Sequence, residues 1–136
     1  MDLSDALDFL RANHRSVLIA RKAGGDPQPS PVVHGVDAEE RVVISSREPA
    51  YKVRHLRRDP RVTLCAFPDG FFGKWVSIEG TAEIVSLPAA MGGLVELYQQ
   101  ISGAHPDWDE YRAAMERERR VLIAVTPISA GPDRAG

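Results

Sequence analysis

The chain has 136 residues, of which 43% are hydrophobic and 26% charged, and its formal net charge at pH 7 is −2. This length is typical of one domain, and the near-neutral charge argues against a general nucleic-acid or membrane-surface binder. No apolar run is long enough to span a membrane, and the acidic start is unlike a signal peptide, so we expect a cytoplasmic protein with no membrane or nucleic-acid partner. The single cysteine, Cys65, excludes an internal disulfide, and no closely spaced Cys or His residues indicate a metal site.

The first part of the chain is predicted to form a short helix and then three strands. Residues 3–12 carry apolar side chains at helical spacing, with Ser4 available as the N-cap. Runs rich in β-branched residues, separated by Gly, Pro and Asp, predict strands over 16–20, 28–36 and 41–45. Pro27, Pro29 and Pro31 have no N–H to donate to a neighbouring strand. We therefore expect the beginning of the second strand to lie at a sheet edge.

The second part of the chain is predicted to alternate between helices and strands. In chain order these are a helix over 49–58, strands over 61–67 and 75–85, a helix over 88–102 ended by Gly103, a helix capped by Asp107, and a strand over 121–125. Gly80 indicates a bulge in the fifth strand. Six short strands joined mostly by tight turns favour a small antiparallel barrel over a doubly wound sheet. We predict a mainly β (α+β) fold with short flanking helices, as one domain over 1–129 with a flexible tail over 130–136.

Positive charge is concentrated in the segment 47–61, which contains six basic residues and two acidic ones in a chain that is net negative. Just before it, Ser45 and Ser46 lead a strand into a helix N-terminus, where free backbone N–H groups and the helix dipole favour a bound anion. Lys52 in the first turn can reach the same anion, whereas Arg54 lies on the opposite flank of the apolar stripe of the helix. The segment thus predicts a phosphate site, with a solvated basic helix face as the alternative.

Several other side chains are candidates for ligand contacts. Trp75 and its aromatic neighbours could cover a flat heteroaromatic ring, although core packing also explains them. His34, at the end of the second strand, is a candidate donor to a ligand, as are the other histidines, His14, His55 and His105. Cys65 has no charged neighbour in its strand, so we expect a buried and inert thiol. The sequence contains no nucleophile-elbow, Walker or dinucleotide glycine motif.

The segment from Ser45 to Val62, SSREPAYKVRHLRRDPRV, resembles the signature of the pyridoxamine 5′-phosphate oxidase-like flavin and deazaflavin oxidoreductases. The resemblance covers most of the chain to Ser129, and it continues through Glu79-Gly80-Thr81-Ala82, Leu97-Tyr98, Trp108-Asp109, Tyr111-Arg112 and Arg119-Arg120-Val121-Leu122. Within this superfamily the chain is most similar to the actinobacterial branch that uses the deazaflavin coenzyme F420. It departs from the family pattern at Pro31, Ala50 and His55.

The resemblance implies a split β-barrel homodimer, with the cofactor in a groove between the two subunits. It also implies which residues bind the cofactor: Ser45, Ser46 and Lys52 at its phosphate, Gln28, Ser30 and Val32 along the tricyclic ring, Arg54 as a further basic group, and Trp75 at the groove wall. His34 would lie just beyond the ring.

The expected function is an F420-dependent oxidoreductase that transfers a hydride between the deazaflavin and an unsaturated small molecule. Hydride transfer requires no acid or base from the protein, because the cofactor carries the chemistry. If a proton donor is needed, His34 is the choice that its position favours. Two alternatives remain: an FMN-binding oxidoreductase of the same fold, and a non-catalytic protein that binds F420 or a flavin.

Overall fold

The computed structural model describes residues 1 to 132. Within them, the elements are α1 (Leu3–Ala12), β1 (Arg15–Arg21), β2 (Pro27–Val36), β3 (Val42–Arg47), α2 (Tyr51–Arg58), β4 (Arg61–Phe67), β5 (Val76–Val85), α3 (Met91–Ser102), α4 (Trp108–Arg117) and β6 (Arg120–Gly131). The six strands close an antiparallel barrel in the order β1-β2-β3-β6-β5-β4. This confirms the predicted fold class. None of the helices in this part of the chain is long and apolar enough to cross a lipid bilayer.

The last strand is longer than the sequence predicts. β6 continues to Gly131 because β5 offers it a partner along its whole length, from Val85 opposite Leu122 to Ser77 opposite Gly131. The register between the two strands shifts at Glu79/Gly80, so the predicted bulge at Gly80 is confirmed. The first residues of the predicted tail therefore belong to the barrel, and residues 133 to 136 lie outside the described part of the chain.

The barrel interior is the larger of two apolar cores. Alternating side chains of every strand fill it, and α1 and α2 pack over it, with the fully buried members Leu10, Leu18, Ile44, Val53, Leu56, Leu64, Ile78 and Ile123. Burying one such side chain stabilises the fold by about 1.5 to 3 kcal/mol. The N-cap of α1 is Asp2, whose carboxylate accepts a 2.8 Å hydrogen bond from the Ser4 N–H, so the predicted cap at Ser4 is wrong by two residues.

A second core lies on the outer surface of β3 and β6, where α3 and α4 pack. Val43, Leu122 and Ala124 face outwards there and contact the buried side chains Leu94, Leu97, Tyr111 and Met115. Because β3 and β6 have apolar neighbours on both faces, their sequences are continuous apolar runs rather than alternating ones. Asp107 caps α4 as predicted, since its carboxylate accepts from the Glu110 N–H at 3.1 Å.

Strand β2 pairs with each of its two neighbours over only part of its length. Residues 27 to 33 pair with β1, and residues 34 to 36 are the ones that pair with β3. The prolines at 27, 29 and 31 therefore lie where one edge of the strand has no partner, as their missing N–H groups require. The barrel is consequently open along one side of β2.

Candidate functional site

A cavity of about 650 Å³ lies beside this open part of β2, and we call it the groove. Strands β2, β3 and β6 and helices α2, α3 and α4 all contribute to its wall. The lining residues are Pro31, Val32, Val33, Ser45, Lys52, Leu94, Leu97, Tyr98, Ile101, Ser102, His105, Glu110, Tyr111, Ala114, Met115, Glu118 and Arg120. Of the predicted site residues, the groove brings together Val32, Ser45 and Lys52.

Lys52 is the lining cation that has no carboxylate within ion-pair distance in the described chain. Arg120 Nη2 lies 2.7 Å from the Glu118 carboxylate, and Arg117 holds the Glu110 carboxylate at 2.8 Å. Partial burial, together with the nearby positive charge of Arg120, lowers the pKa of the Lys52 ammonium. An anion placed between Lys52 and Arg120 would relieve the repulsion between their positive charges, so this end of the groove favours a phosphate.

The beginning of α2 adds to the attraction for an anion. Its N-cap is Ala50, whose methyl side chain cannot accept a hydrogen bond, and the helix has no acidic residue in its first turn. The first N–H groups of a helix are then available to a ligand. Lys52 itself belongs to this first turn, so its ammonium and the helix N-terminus come from the same few residues.

Most of the basic residues predicted around this helix are engaged elsewhere. Arg57 binds both oxygens of the Glu48 carboxylate at 3.1 and 2.8 Å, and Arg58 donates to the Arg21 carbonyl at 2.7 Å. Arg61 lies 2.7 Å from the Asp59 carboxylate. Arg54 is exposed, stands over the Tyr51 ring and does not line the groove. Lys52 is therefore the member of the basic segment that reaches the groove.

Gln28 and Ser30 lie on the same face of β2 as Val32, further from the groove. On the neighbouring strand β1, Gln28 lies opposite Ala20 and Ser30 lies opposite Leu18. Both partners are buried, so this face of β2 turns towards the barrel interior. Gln28 Oε1 and Ser30 Oγ are both buried, and neither has a hydrogen-bond partner in the described chain. A buried polar atom left without a partner costs about 1 to 3 kcal/mol. The two side chains do not line the groove, so the structure does not bring them to the cavity with Val32, Ser45 and Lys52.

Two further predicted site residues, Ser46 and Trp75, do not line the groove. Ser46 is 5% exposed and follows Ser45, and because alternate residues of a strand face opposite sides, its hydroxyl shares the interior face with Ile44. Ser45 and Ser46 therefore cannot both present side chains to one phosphate. Trp75, 39% exposed, precedes β5 and is not among the groove-lining residues.

His34, the predicted proton donor, is buried and does not line the groove. Its ring is fully buried, and Nε2 donates to the Leu10 carbonyl at 3.1 Å. Nδ1 in turn lies 2.7 Å from the Ser16 hydroxyl. Desolvation by burial lowers the pKa of His34 to about 4, with the Leu10 carbonyl opposing this shift. Both ring nitrogens are occupied, so neither can serve a ligand.

Three groove-lining residues, Tyr98, His105 and Tyr111, belong to an aromatic cluster that the sequence prediction missed. Tyr98, His105, Trp108 and Tyr111 contact one another in every pairing, with ring centroids 5.1 to 5.9 Å apart. Their concentration between residues 98 and 111 is the signal that could have indicated a shared site. Helix capping and helical spacing already explained these residues, and nothing in the sequence indicates that α3 and α4 pack beside β2.

Solved structures with the same fold include proteins of several different kinds. A conserved hypothetical protein from Mycobacterium tuberculosis is 23% identical, with 96% of this chain and 82% of that chain covered at a TM-score of 0.75. An F420 reductase is 20% identical, with 91% and 94% covered and a TM-score of 0.70. The heme storage protein of Vibrio cholerae is 15% identical, with 96% and 94% covered and a TM-score of 0.72. At these identities the likeness shows the fold alone.

A family model is the more specific finding. The model described as pyridoxamine 5′-phosphate oxidase matches residues 4–130, which is nearly the whole chain and includes almost all of every helix and strand. The matched segment contains all the residues that line the groove. The chain therefore belongs to the pyridoxamine 5′-phosphate oxidase family.

Proposed function

We propose that this protein is an F420-dependent oxidoreductase that binds the cofactor phosphate at Lys52 and transfers a hydride to or from an unsaturated small molecule in the groove. The observation that carries the proposal is the half-buried Lys52 ammonium, which lies beside Ser45 and Arg120 without a carboxylate partner in the described chain. Membership of a family that includes oxidoreductases is consistent with this activity.

Residues in different parts of the groove would have different roles. Lys52 and the Ser45 hydroxyl would hold the phosphate, and Val32 would lie against the ring system. The apolar side chains of α3 and α4 would exclude water from the reacting face. When bound, the deazaflavin supplies the hydride, and the protein supplies binding, orientation and a dry environment.

FMN is the second candidate cofactor, because it shares with F420 a tricyclic ring, a ribityl chain and a phosphate. The acidic tail of F420 is the difference on which the choice rests. Arg54 follows Lys52 by two residues on α2, is exposed and makes no ion pair with the described residues, so it could contact such a tail. This favours F420, and a non-catalytic protein that binds either cofactor is the alternative outside the enzymes.

A direct comparison of the two cofactors tests the proposal. Purified protein is titrated with F420 and, separately, with FMN while the unfolding temperature is followed, since a ligand of the folded state raises stability by RT ln(1 + [L]/Kd). We expect a larger shift with F420, followed by reduction of an electron acceptor by the reduced complex. A larger shift with FMN would show that the site prefers a flavin. Tight binding without turnover would favour a non-catalytic carrier. No shift with either cofactor would overturn the proposal.

We further propose that the protein is a homodimer in which a second copy covers the groove. Val33 and Ile101, both groove-lining and large, are 49% and 37% exposed, and the edge of β2 beside them is unpaired. Covering such apolar positions and sheet edges is a common reason for small barrels to pair. Sedimentation equilibrium should give twice the chain mass, and Val33→Asp should shift the mass towards the monomer. A monomer for the wild type at high concentration would contradict this.

A further inference from the structure

His105 stands in the loop between α3 and α4, at the wall of the groove. Its ring is surrounded by those of Tyr98, Trp108 and Tyr111, with centroid distances of 5.1, 5.7 and 5.5 Å. These contacts restrict the orientation of the imidazole. The ring is therefore held as a fixed element of the groove wall rather than as a freely rotating surface side chain.

A backbone hydrogen bond determines which nitrogen of this ring carries the proton. Nδ1 of His105 lies 2.9 Å from the backbone N of Asp107, and since that N–H can only donate, Nδ1 must accept. The neutral ring then carries its proton on Nε2. Nε2 has no hydrogen-bond partner in the described chain, so it is a donor available to a ligand. A metal-ligating histidine differs, because the ring nitrogen that does not bind the metal donates a hydrogen bond to the protein, whereas Nδ1 of His105 accepts one.

The surroundings of His105 favour an uncharged ligand. The hydroxyl of Tyr111 is already used, because it donates to the Leu94 carbonyl at 2.8 Å. The carboxylates of Glu110 and Glu118, which also line the groove, are already paired with Arg117 and Arg120 at 2.8 and 2.7 Å, so their charges are compensated. Apart from the two tyrosines, Glu110 and Ser102, the residues of α3 and α4 that line the groove are apolar, namely Leu94, Leu97, Ile101, Ala114 and Met115. A planar apolar molecule with one acceptor oxygen fits this compartment.

We propose that His105 orients the substrate by donating a hydrogen bond from Nε2 to a carbonyl oxygen of an uncharged planar molecule. The aromatic rings around His105 fix the donor, and the Asp107 N–H sets its tautomer. This inference rests on the proposed function, since it takes the groove as the substrate site. His105 is a substrate-binding residue in this scheme, and the phosphate site at Lys52 is separate from it.

Two variants separate Nε2 donation from a structural role of the ring. In His105→Asn the side-chain oxygen takes the place of Nδ1 as acceptor for the Asp107 N–H, so the turn is kept while the ring and Nε2 are lost. In His105→Phe the aromatic packing is kept while both nitrogens are lost. The probes are 1-indanone and indane, which differ by one carbonyl group. Their dissociation constants are measured by NMR titration of wild type and both variants, with His55→Phe, which lies outside the groove, as the control.

For the wild type and His55→Phe we expect 1-indanone to bind about tenfold more tightly than indane, the ratio that one hydrogen bond gives. Both His105 variants should lose this preference. Retention of the preference in His105→Asn or in His105→Phe, or its absence in the wild type, would overturn the inference. In the same samples F420 and FMN binding is measured separately. A carbonyl preference without cofactor binding would reject the oxidoreductase and leave the His105 assignment standing, whereas cofactor binding without the preference would do the reverse.

Discussion

The Ser16 hydroxyl donates a 2.7 Å hydrogen bond to Nδ1 of His34 in the barrel interior. Nε2 of the same ring donates to the Leu10 carbonyl near the end of α1, at 3.1 Å. The imidazole therefore joins α1 to β1 and β2. Protonation of Nδ1 would make the ring a donor towards Ser16 and would place a positive charge in the barrel interior, which burial disfavours. The stability of the fold is thereby linked to the protonation of His34.

Stability should fall as the pH is lowered through the range in which the unfolded chain, and not the folded one, protonates His34. The ordinary pKa is 6.5 and the buried ring has a pKa of about 4, so the unfolded state binds the extra proton between these values. Its contribution is present above pH 6.5 and is lost as the pH falls towards 4. We expect a loss of about 2 kcal/mol in the free energy of unfolding between pH 7 and pH 5 from this residue.

Urea unfolding of the wild type and His34→Gln at the two pH values measures this contribution. The variant should be less stable at pH 7, because the Ser16 and Leu10 groups lose a well-placed partner, and its stability should change less with pH. The change in the free energy of unfolding between the two pH values is compared for the wild type and the variant, and the difference isolates His34 from the other titrating groups. Equal changes would show that His34 protonates as easily in the folded state as in the unfolded one.

Replacing Lys52 should weaken cofactor binding much more than replacing another lysine. Lys52→Ala removes a charged hydrogen bond worth about 1.5 to 3 kcal/mol, or about 10- to 150-fold in Kd. Lys22→Ala is the matched control, because Lys22 is exposed in the turn between β1 and β2 and does not line the groove. The affinities for F420 and FMN are measured by titration for each variant. Unchanged affinity in Lys52→Ala would remove the phosphate from this end of the groove.

The barrel was predictable because its determinants are local. Turn residues separate the strands, and single residues report their own special roles: Gly80 marks the bulge in β5, and Asp107 caps α4. The error in β6 has a physical origin in the partner strand. The segment after Val125 contains Pro127 and few apolar residues, so nothing in it reveals that β5 provides hydrogen-bonding partners as far as Gly131.

The site was only partly predictable because it is assembled from distant segments. Lys52 could be identified from its place at the start of a basic helix, yet its neighbour Arg120 comes from the last strand. The orientation of His34 could not be decided from the sequence, because a polar residue at a strand end can face either the ligand or the core. The network with Ser16 and Leu10 that decides the question is visible only in three dimensions.

Gly80→Ala should destabilise the barrel at its bulge. A Cβ at this position would overlap the backbone carbonyl oxygen of Thr126 and lie 3.0 Å from Val125 Cγ1. Backbone on the neighbouring strand cannot move aside without disturbing the β5 and β6 pairing, so we expect a loss of about 1 to 3 kcal/mol. Gly24→Ala is the control, since nothing lies within 4 Å of its added Cβ. Urea unfolding of both variants measures the difference, and equal stability would contradict the crowding at Gly80.

Gln100 holds α3 against the barrel through a pair of hydrogen bonds to one residue. Its Nε2 donates to the Val36 carbonyl at 2.6 Å, and its Oε1 accepts from the Val36 N–H at 3.0 Å. Gly35 permits this approach, because a Cβ there would lie 2.6 Å from Gln100 Oε1. The amide of Gln100 thus satisfies backbone groups at the end of β2 while fixing the helix whose side chains form one wall of the groove.

Gln100→Leu should therefore loosen the groove without removing any residue that lines it. Leaving the Val36 backbone groups without partners costs about 1 to 3 kcal/mol, and hydrogen exchange in α3 should become faster. Cofactor affinity should fall as well, because Leu97, Tyr98 and Ile101 on α3 line the groove. Gln99→Leu, an exposed neighbour on the same helix, should change the stability by less than about 0.5 kcal/mol. If both variants exchange and bind like the wild type, the position of α3 depends on its apolar packing rather than on Gln100.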